Sequence, residues 1–284
     1  FKPYPPKSLN EEQIRAYDTI LESDKNIFLL KGVTGSGKTE VYMNLVSYML
    51  LVEKSSLILV PEIALTPQMI ERFKGRFGKD VAVFHSRLSD GERYDEWYRV
   101  KNDQVKVVIG ARSAIFLPFN DLGLIVVDEE HESSYKSDMN PKYNTIEVCE
   151  YLSVLKNCKV VLGSATPSVV SFYKALKGNY ELIELKKRVN NLELPNVSIV
   201  DMREELKSNN KTMFSRDLYL KIKDRLEKKE QIILFLNRRG FSSFVSCRSC
   251  GFVFKCNNCD ISMTYHNNGY LVCHYCGNNE KMPK

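Results

Sequence analysis

The chain has 284 residues, 43% of them hydrophobic and 27% charged, and a formal net charge of +6. That length suits one large domain and part of another, and that balance supports a packed core and excludes a disordered chain. No apolar run approaches the roughly 18–20 residues of a membrane helix, and so mild a basicity permits a polyanion partner without requiring one.

The first residue is Phe1, and the proline-rich start lacks the form of a signal peptide. A partial chain is therefore expected. Residues 9–21 have the spacing of a short amphipathic helix with Asn10 at its N-cap. Residues 26–30 read as a buried strand running into a glycine-rich loop, and 39–52 as a helix. A strand at 57–60 stops at Pro61, a helix at 67–77 stops at Gly78, and a strand follows at 81–84. Ser89 with Glu92 has capping-box form and opens a helix to about Lys101. Strands at 105–109 and 122–127 precede a helix capped by Asn144 and Glu147 that runs to about Lys156. A strand at 160–162 then leads into G-S-A-T-P-S. From residue 180 to 200 the pattern changes. Two short strand-like runs, the basic cluster Lys186, Lys187 and Arg188, and Pro195 read as the way out of the first domain. A capped, charged helix at 215–229 and a buried strand at 232–236 would open a second α/β domain.

Short apolar strands alternating with longer helices predict right-handed β-α-β units and a mostly parallel sheet covered on both faces. In such sheets ligands bind at the C-terminal strand ends, and each motif below directly follows a strand.

Residues 32–39 read G-V-T-G-S-G-K-T. Glycines let the backbone N–H groups of such a loop converge on phosphates at a helix N-terminus. Lys38 would reach the β and γ phosphates, and Thr39 would place its hydroxyl on Mg²⁺. Asp128 follows an apolar run and is the expected second Mg²⁺-linked carboxylate, with Glu129 beside it to orient or deprotonate the attacking water.

Of eight cysteines, Cys149 and Cys158 lie in apolar contexts and read as inert core residues. The other six form three C-x-x-C pairs: Cys247 and Cys250, Cys256 and Cys259, Cys273 and Cys276. Such pairs favour zinc over disulfides here. The last two pairs have zinc-ribbon spacing and predict a structural tetrahedral site. Cys247 and Cys250 are then left over, with His266 and His274 as the other candidate ligands within the chain.

The strings G-V-T-G-S-G-K-T-E (32–40), L-V-P-E-I-A-L-T-P-Q (59–68), G-A-R-S-A-I-F-L-P-F (110–119), D-E-E-H-E-S-S-Y-K (128–136), G-S-A-T-P-S (163–168) and F-L-N-R-R-G-F (235–241) fall in order before the cysteine pairs. With them the chain resembles the bacterial primosomal replication-restart helicases, members of helicase superfamily 2.

The resemblance implies a RecA-like P-loop NTPase lobe, the start of a second RecA-like lobe and a small zinc-binding insertion. The expected boundaries are residues 1–185 for the first lobe, 186–214 for a linker, 215–243 for the incomplete second lobe and 244–284 for an incomplete zinc segment. It also implies an ATP-dependent 3′–5′ DNA helicase, cytoplasmic and without a membrane partner. This enzyme would act at forked or stalled replication intermediates in primosome assembly. ATP, Mg²⁺ and Zn²⁺ would be its cofactors, and DNA junctions, primosome proteins and single-strand-binding proteins its partners.

Residue by residue, Gln13 would contact the adenine, and Gly32, Val33, Thr34, Gly35, Ser36, Gly37, Lys38 and Thr39 would hold the nucleotide. Lys38, Asp128 and Glu129 would carry the chemistry. His131, Ser164 and Thr166 would couple it to movement. Arg112, Ser113, Tyr135, Lys136 and the segment 61–68 would meet DNA. The six cysteines from Cys247 to Cys276 would hold zinc, with a further pair expected beyond Cys276. As an internal fragment, the chain itself would bind nucleotide and turn it over poorly.

Plainer readings stay open at this point. Gln13 and His131 could be ordinary polar residues, residues 164–167 a turn and cap, Arg112 a surface ion pair, Tyr135 and Tyr143 core residues, and Lys186 to Arg188 a solvated face. A restriction or repair translocase of the same superfamily and a non-enzymatic zinc nucleic-acid-binding module are the alternative functions.

Overall fold

Asn10 opens the first helix as predicted. Its side chain accepts from the Gln13 backbone N–H, and the Gln13 side chain accepts from the Asn10 N–H, both at 2.9 Å. The capping box thus satisfies two donors that helix α1 (Glu11–Glu22) would otherwise leave orphaned. In the computed structural model the described residues are 2–61, 67–137, 140, 142–189, 195–235, 245, 247, 250, 252–266 and 269–282. They fall into two compact units, Phe1–Leu194 and Pro195–Lys284.

The first unit continues with β1 (Ile27–Gly32), α2 (Lys38–Leu51), β2 (Ser55–Leu59), α3 (Pro67–Phe77), β3 (Val81–Phe84) and α4 (Asp90–Lys101). Then come β4 (Val107–Gly110), β5 (Leu122–Asp128), α5 (Thr145–Leu155), β6 (Lys159–Ser164), α6 (Val169–Leu176) and β7 (Glu181–Leu185). The seven strands form one sheet in the order β3-β4-β2-β5-β6-β1-β7. Every pairing in it is parallel.

Strand side chains alternate between two cores. Phe28, Leu30, Leu124 and Val126 join α1, α2 and α3 on one face. Leu29, Ile125 and Val127 join α4, α5 and α6 on the other. Each such aliphatic or aromatic side chain contributes about 1.5–3 kcal/mol when fully buried, which fixes the register because a one-residue slip would exchange the faces.

One expectation is completed and one is corrected. The first strand-like run after residue 180, inside the expected 1–185 lobe, is a seventh strand pairing with β1. Its burial alternates because an edge strand packs one face and leaves the other wet. The buried strand expected at 232–236 does not form over 231–235, where Ile233 is 93% and Phe235 86% exposed. A strand exists only as part of a ladder, and among the described residues nothing pairs with this run; Leu236 itself lies outside them.

The second unit holds α7 (Met202–Lys207), capped by Asp201 and not foreseen in the sequence. It also holds α8 (Arg216–Glu227), whose cap Ser215 accepts from the Leu218 N–H. A small antiparallel sheet of β8 (Thr264–Tyr265), β9 (Tyr270–Val272) and β10 (Asn279–Lys281) follows, with β9 in the middle.

A candidate nucleotide site and a candidate zinc site

β1 ends in the glycine loop, and the loop ends at the N-terminus of α2. Gly35 and Gly37 both take φ +82°, a left-handed conformation that L side chains rarely adopt. A Cβ at Gly37 would overlap the Gln13 amide, and one at Gly32 would fall 2.6 Å from Ser36 Oγ. The backbone is therefore shaped as a cradle with its N–H groups at a helix N-terminus. Lys38 Nζ folds back to donate to Gly32 O at 2.9 Å. Ser36 Oγ is buried with no hydrogen-bond partner among the described residues.

Gln13 is 3% exposed and donates from Nε2 to Ser36 O at 2.8 Å, so it is locked onto the loop rather than solvated. Another neighbour was missed in the sequence. The segment after β7, read as linker, lies over the same loop. Val189 N donates to Gly35 O at 3.0 Å, Val33 N to Leu185 O at 3.2 Å, and Lys187 N to Glu12 at 3.1 Å. A cavity of about 630 Å³ is lined by Gln13, Gly35, Gly37, Lys38, Thr39, Asp128, Glu129 and Val189, with Tyr4, Lys7 and Arg72 at its wall.

Asp128 closes β5 with β6 between it and β1. Gly163 of β6 is the register partner of both Asp128 and Leu30. A Cβ on Gly163 would overlap the Tyr42 hydroxyl; without one, that hydroxyl donates to Asp128 Oδ1 at 3.1 Å. Burial, and next the Glu129 charge, raise the Asp128 carboxyl above its ordinary range, against the pull of Tyr42 and Lys38. Burial and the same carboxylate push Tyr42 well above its usual value, so it stays a donor. Tyr42 and Gly163 had no signal in the sequence beyond falling inside helix α2 and the G-S-A-T-P-S string.

Glu129 sits at φ +49°, a left-handed conformation uncommon outside glycine and held only where the surroundings enforce it. His131 Nδ1 lies 2.8 Å from Ser164 Oγ and 3.6 Å from Glu129 Oε2. Ser164 Oγ also accepts from Thr166 N at 3.0 Å. The expected coupling residues are thus brought together beside Glu129.

The expected DNA residues divide. Arg112 and Ser113 lie on a 3-10 turn, Arg112–Phe116. Arg112 donates to Ser134 O at 3.0 Å and also to Lys136 O, joining this turn to the loop after the acidic motif. Ser113 and Lys136 are exposed. Tyr135 is not at the surface: it is 2% exposed, and its hydroxyl donates to Leu59 O at 3.1 Å and Asp128 O at 2.6 Å. Its buried phenol spends its O–H on internal acceptors and so ties the loop after the acidic motif to the ends of β2 and β5. Tyr143 packs edge-on against Phe116 at 4.9 Å. Residues 62–66 of the remaining candidate segment lie outside the described residues.

In the second unit the sulfurs of Cys256, Cys259, Cys273 and Cys276 lie within 4.8 Å of one another. The edges of a zinc–thiolate tetrahedron are of that order, given Zn–S near 2.3 Å. The Asn258 amide, first among the donors around it, pulls the Cys256 thiol down to about 6. Hydrogen bonding with Cys276 pushes Cys259 up to about 12. The Cys256 and Cys259 thiols, pulled in opposite directions by their neighbours, suit a divalent cation that takes the clustered sulfurs as thiolates. Cys247 and Cys250 are exposed and outside this group. His266 and His274 face each other at 3.2 Å between their Nε2 atoms and do not join the four sulfurs.

The glycine cradle, the orphaned Ser36 hydroxyl and the adjacent Asp128 fit a magnesium nucleotide, and the thiol cluster fits zinc. The DEAD/DEAH box helicase family matches residues 10–173, and the PriA DNA helicase Cys-rich region domain matches residues 256–281. Replication restart protein PriA of Bacillus subtilis (strain 168) is 54% identical over all of this chain and 36% of its own length. PriA of Synechocystis sp. is 49% identical over 97% of this chain and 34% of its own. PriA of Chlamydia trachomatis is 44% identical over all of this chain and 38% of its own. The chain thus spans little more than a third of these relatives. Among the described residues no helix is long and apolar enough to cross a membrane. With the glycine loop, Gln13 and Asp128 and Glu129 lining one cavity and a zinc-ribbon cysteine group in the second unit, the chain belongs to the DEAD/DEAH box helicase family and is similar along its whole length to replication restart protein PriA.

Proposed function

We propose that this chain is the ATP-hydrolysing part of a 3′–5′ DNA helicase that restarts replication at forked DNA, with Mg²⁺ and structural Zn²⁺ as its metals. The observation that carries this reading is the convergence of Lys38, Thr39, Asp128 and Glu129 on one cavity, with Gln13 fixed to the same loop. Amides of 35–38 and Lys38 hold the β and γ phosphates, while the Thr39 hydroxyl and Asp128 hold the metal. Mg²⁺ bound there would offset charge on the transferring phosphoryl group. Glu129 orients the attacking water and takes its proton.

His131 and Ser164 relay the resulting shift towards Arg112, Ser113 and Lys136, the proposed contacts to the DNA backbone. Cys256, Cys259, Cys273 and Cys276 hold one zinc, and Cys247 and Cys250 contribute to another with ligands of the longer protein. Forked DNA, primosome proteins and single-strand-binding proteins are the proposed partners, in the cytoplasm. The support for these is similarity to PriA proteins over the whole chain. Strand displacement on forked DNA by the full-length protein tests the reading. ATP-dependent unwinding that vanishes in Lys38→Ala while zinc content stays normal is expected. Unwinding that survives Lys38→Ala would overturn it.

A further inference from the structure

The acidic motif points two ways. Asp128 and Glu129 line the nucleotide cavity, whereas Glu130 and His131 line a separate cavity of about 340 Å³ beside α5 and α6. The left-handed backbone at Glu129 makes the division. Glu130 is 4% exposed, and among the described residues no cation pairs with it. Its charge is met instead by the N-terminus of α6. One oxygen accepts from Ser168 N at 2.6 Å. The other accepts from Ser168 Oγ at 3.1 Å and Ser171 Oγ at 2.8 Å. Ser168 is the N-cap of α6 and itself accepts from Ser171 N. The Glu130 backbone N–H donates to Gly163 O at 3.0 Å.

The loop between β6 and α6 is therefore held at both ends by consecutive residues: at Ser164 by His131, and at Ser168 by Glu130. One tie would let the loop pivot when the acidic motif shifts. Two ties spaced along it oblige the loop and α6 to move with the motif, and the buried carboxylate makes the second tie costly to break. We propose that Glu130 is a positioning residue that carries nucleotide-dependent movement of Asp128 and Glu129 into α6. This rests on the nucleotide site proposed above.

The test is amide hydrogen exchange on the full-length protein, with and without a magnesium-bound, non-hydrolysable ATP analogue, for wild type, Glu130→Gln and Glu130→Ala. Glutamine keeps an oxygen for Ser168 N–H and an amide that a serine hydroxyl can accept, so it should rescue. Nucleotide is expected to slow exchange at 32–40 in all three proteins. At 164–176 the nucleotide-dependent slowing is expected in wild type and Glu130→Gln and lost in Glu130→Ala. Faster exchange at 164–176 in Glu130→Ala with the nucleotide-dependent ratio intact would show only a helix cap and overturn the proposal. Absence of protection at 32–40 in wild type would instead sink the nucleotide site, and the coupling with it. If Glu130→Ala does not fold, Ser171→Ala removes a single donor. A reduced nucleotide-dependent ratio supports the coupling, and an unchanged one overturns it.

Discussion

Asp128, Tyr42 and Gly163 act as one unit. The missing Cβ at Gly163 lets the Tyr42 hydroxyl cross β6 and reach the carboxylate. Gly163→Ala should therefore displace Tyr42, destabilise the fold by about 1–3 kcal/mol through overpacking and weaken magnesium-nucleotide binding. Urea unfolding and nucleotide titration check both effects. The raised Asp128 pKa gives a second expectation. A carboxyl whose folded pKa exceeds its unfolded value contributes stability that is present below the unfolded value and lost as pH rises through the folded value. Without metal, stability should fall as pH climbs above the ordinary aspartate value, and Asp128→Asn should flatten that step. In the same range magnesium-nucleotide affinity should drop on acidification, because the metal needs the ionised form. Lys38, Thr39 and Asp128 were legible because each sits in a short string with a chemical reason for its order. Tyr42, Gly163 and Val189 were not, because their partners are distant in sequence and only the sheet order brings them together.

Among the elements, α3 is fastened to α2 beside the nucleotide cavity. Arg76 forms a buried ion pair with Glu40, whose carboxylate also accepts from Lys7 N at 3.2 Å. Tyr4 N donates to Gly75 O at 3.0 Å, so the N-terminal segment is clamped across the same helix. Removing one partner leaves the other charge buried, and Arg76→Ala should cost about 3–5 kcal/mol. A double-mutant cycle with Glu40→Gln should show a smaller combined loss than the sum of the single losses, and strict additivity would deny the pair. Caps such as Asn10 and Ser89 were legible because capping is local chemistry. The strand β7 was legible as a strand-like run, but its charged, half-wet pattern gave no sign that it pairs with β1. The run at 232–236 looked like a strand by composition alone, yet pairing is a property of two segments, not one.

At the scale of the molecule, the two compact units have separate reasons to be folded: a two-faced sheet core in one, a thiol cluster with a small core of Met263 and Leu271 in the other. The parallel α/β class was legible from alternation, whereas strand order was not, since many orders satisfy the same apolar pattern. The isolated chain should carry about one tightly held zinc. Chelation should make residues 252–282 protease-sensitive while nucleotide binding persists. Loss of nucleotide binding on chelation would show that the first unit depends on the metal.

The most direct measurement is a crystal structure with a magnesium-bound, non-hydrolysable ATP analogue. The expected result places the β and γ phosphates against the amides of 35–38 and Lys38 Nζ, with the metal about 2.1 Å from the Thr39 hydroxyl and facing Asp128. An analogue seated away from the glycine loop, or Asp128 turned from the metal, would contradict it.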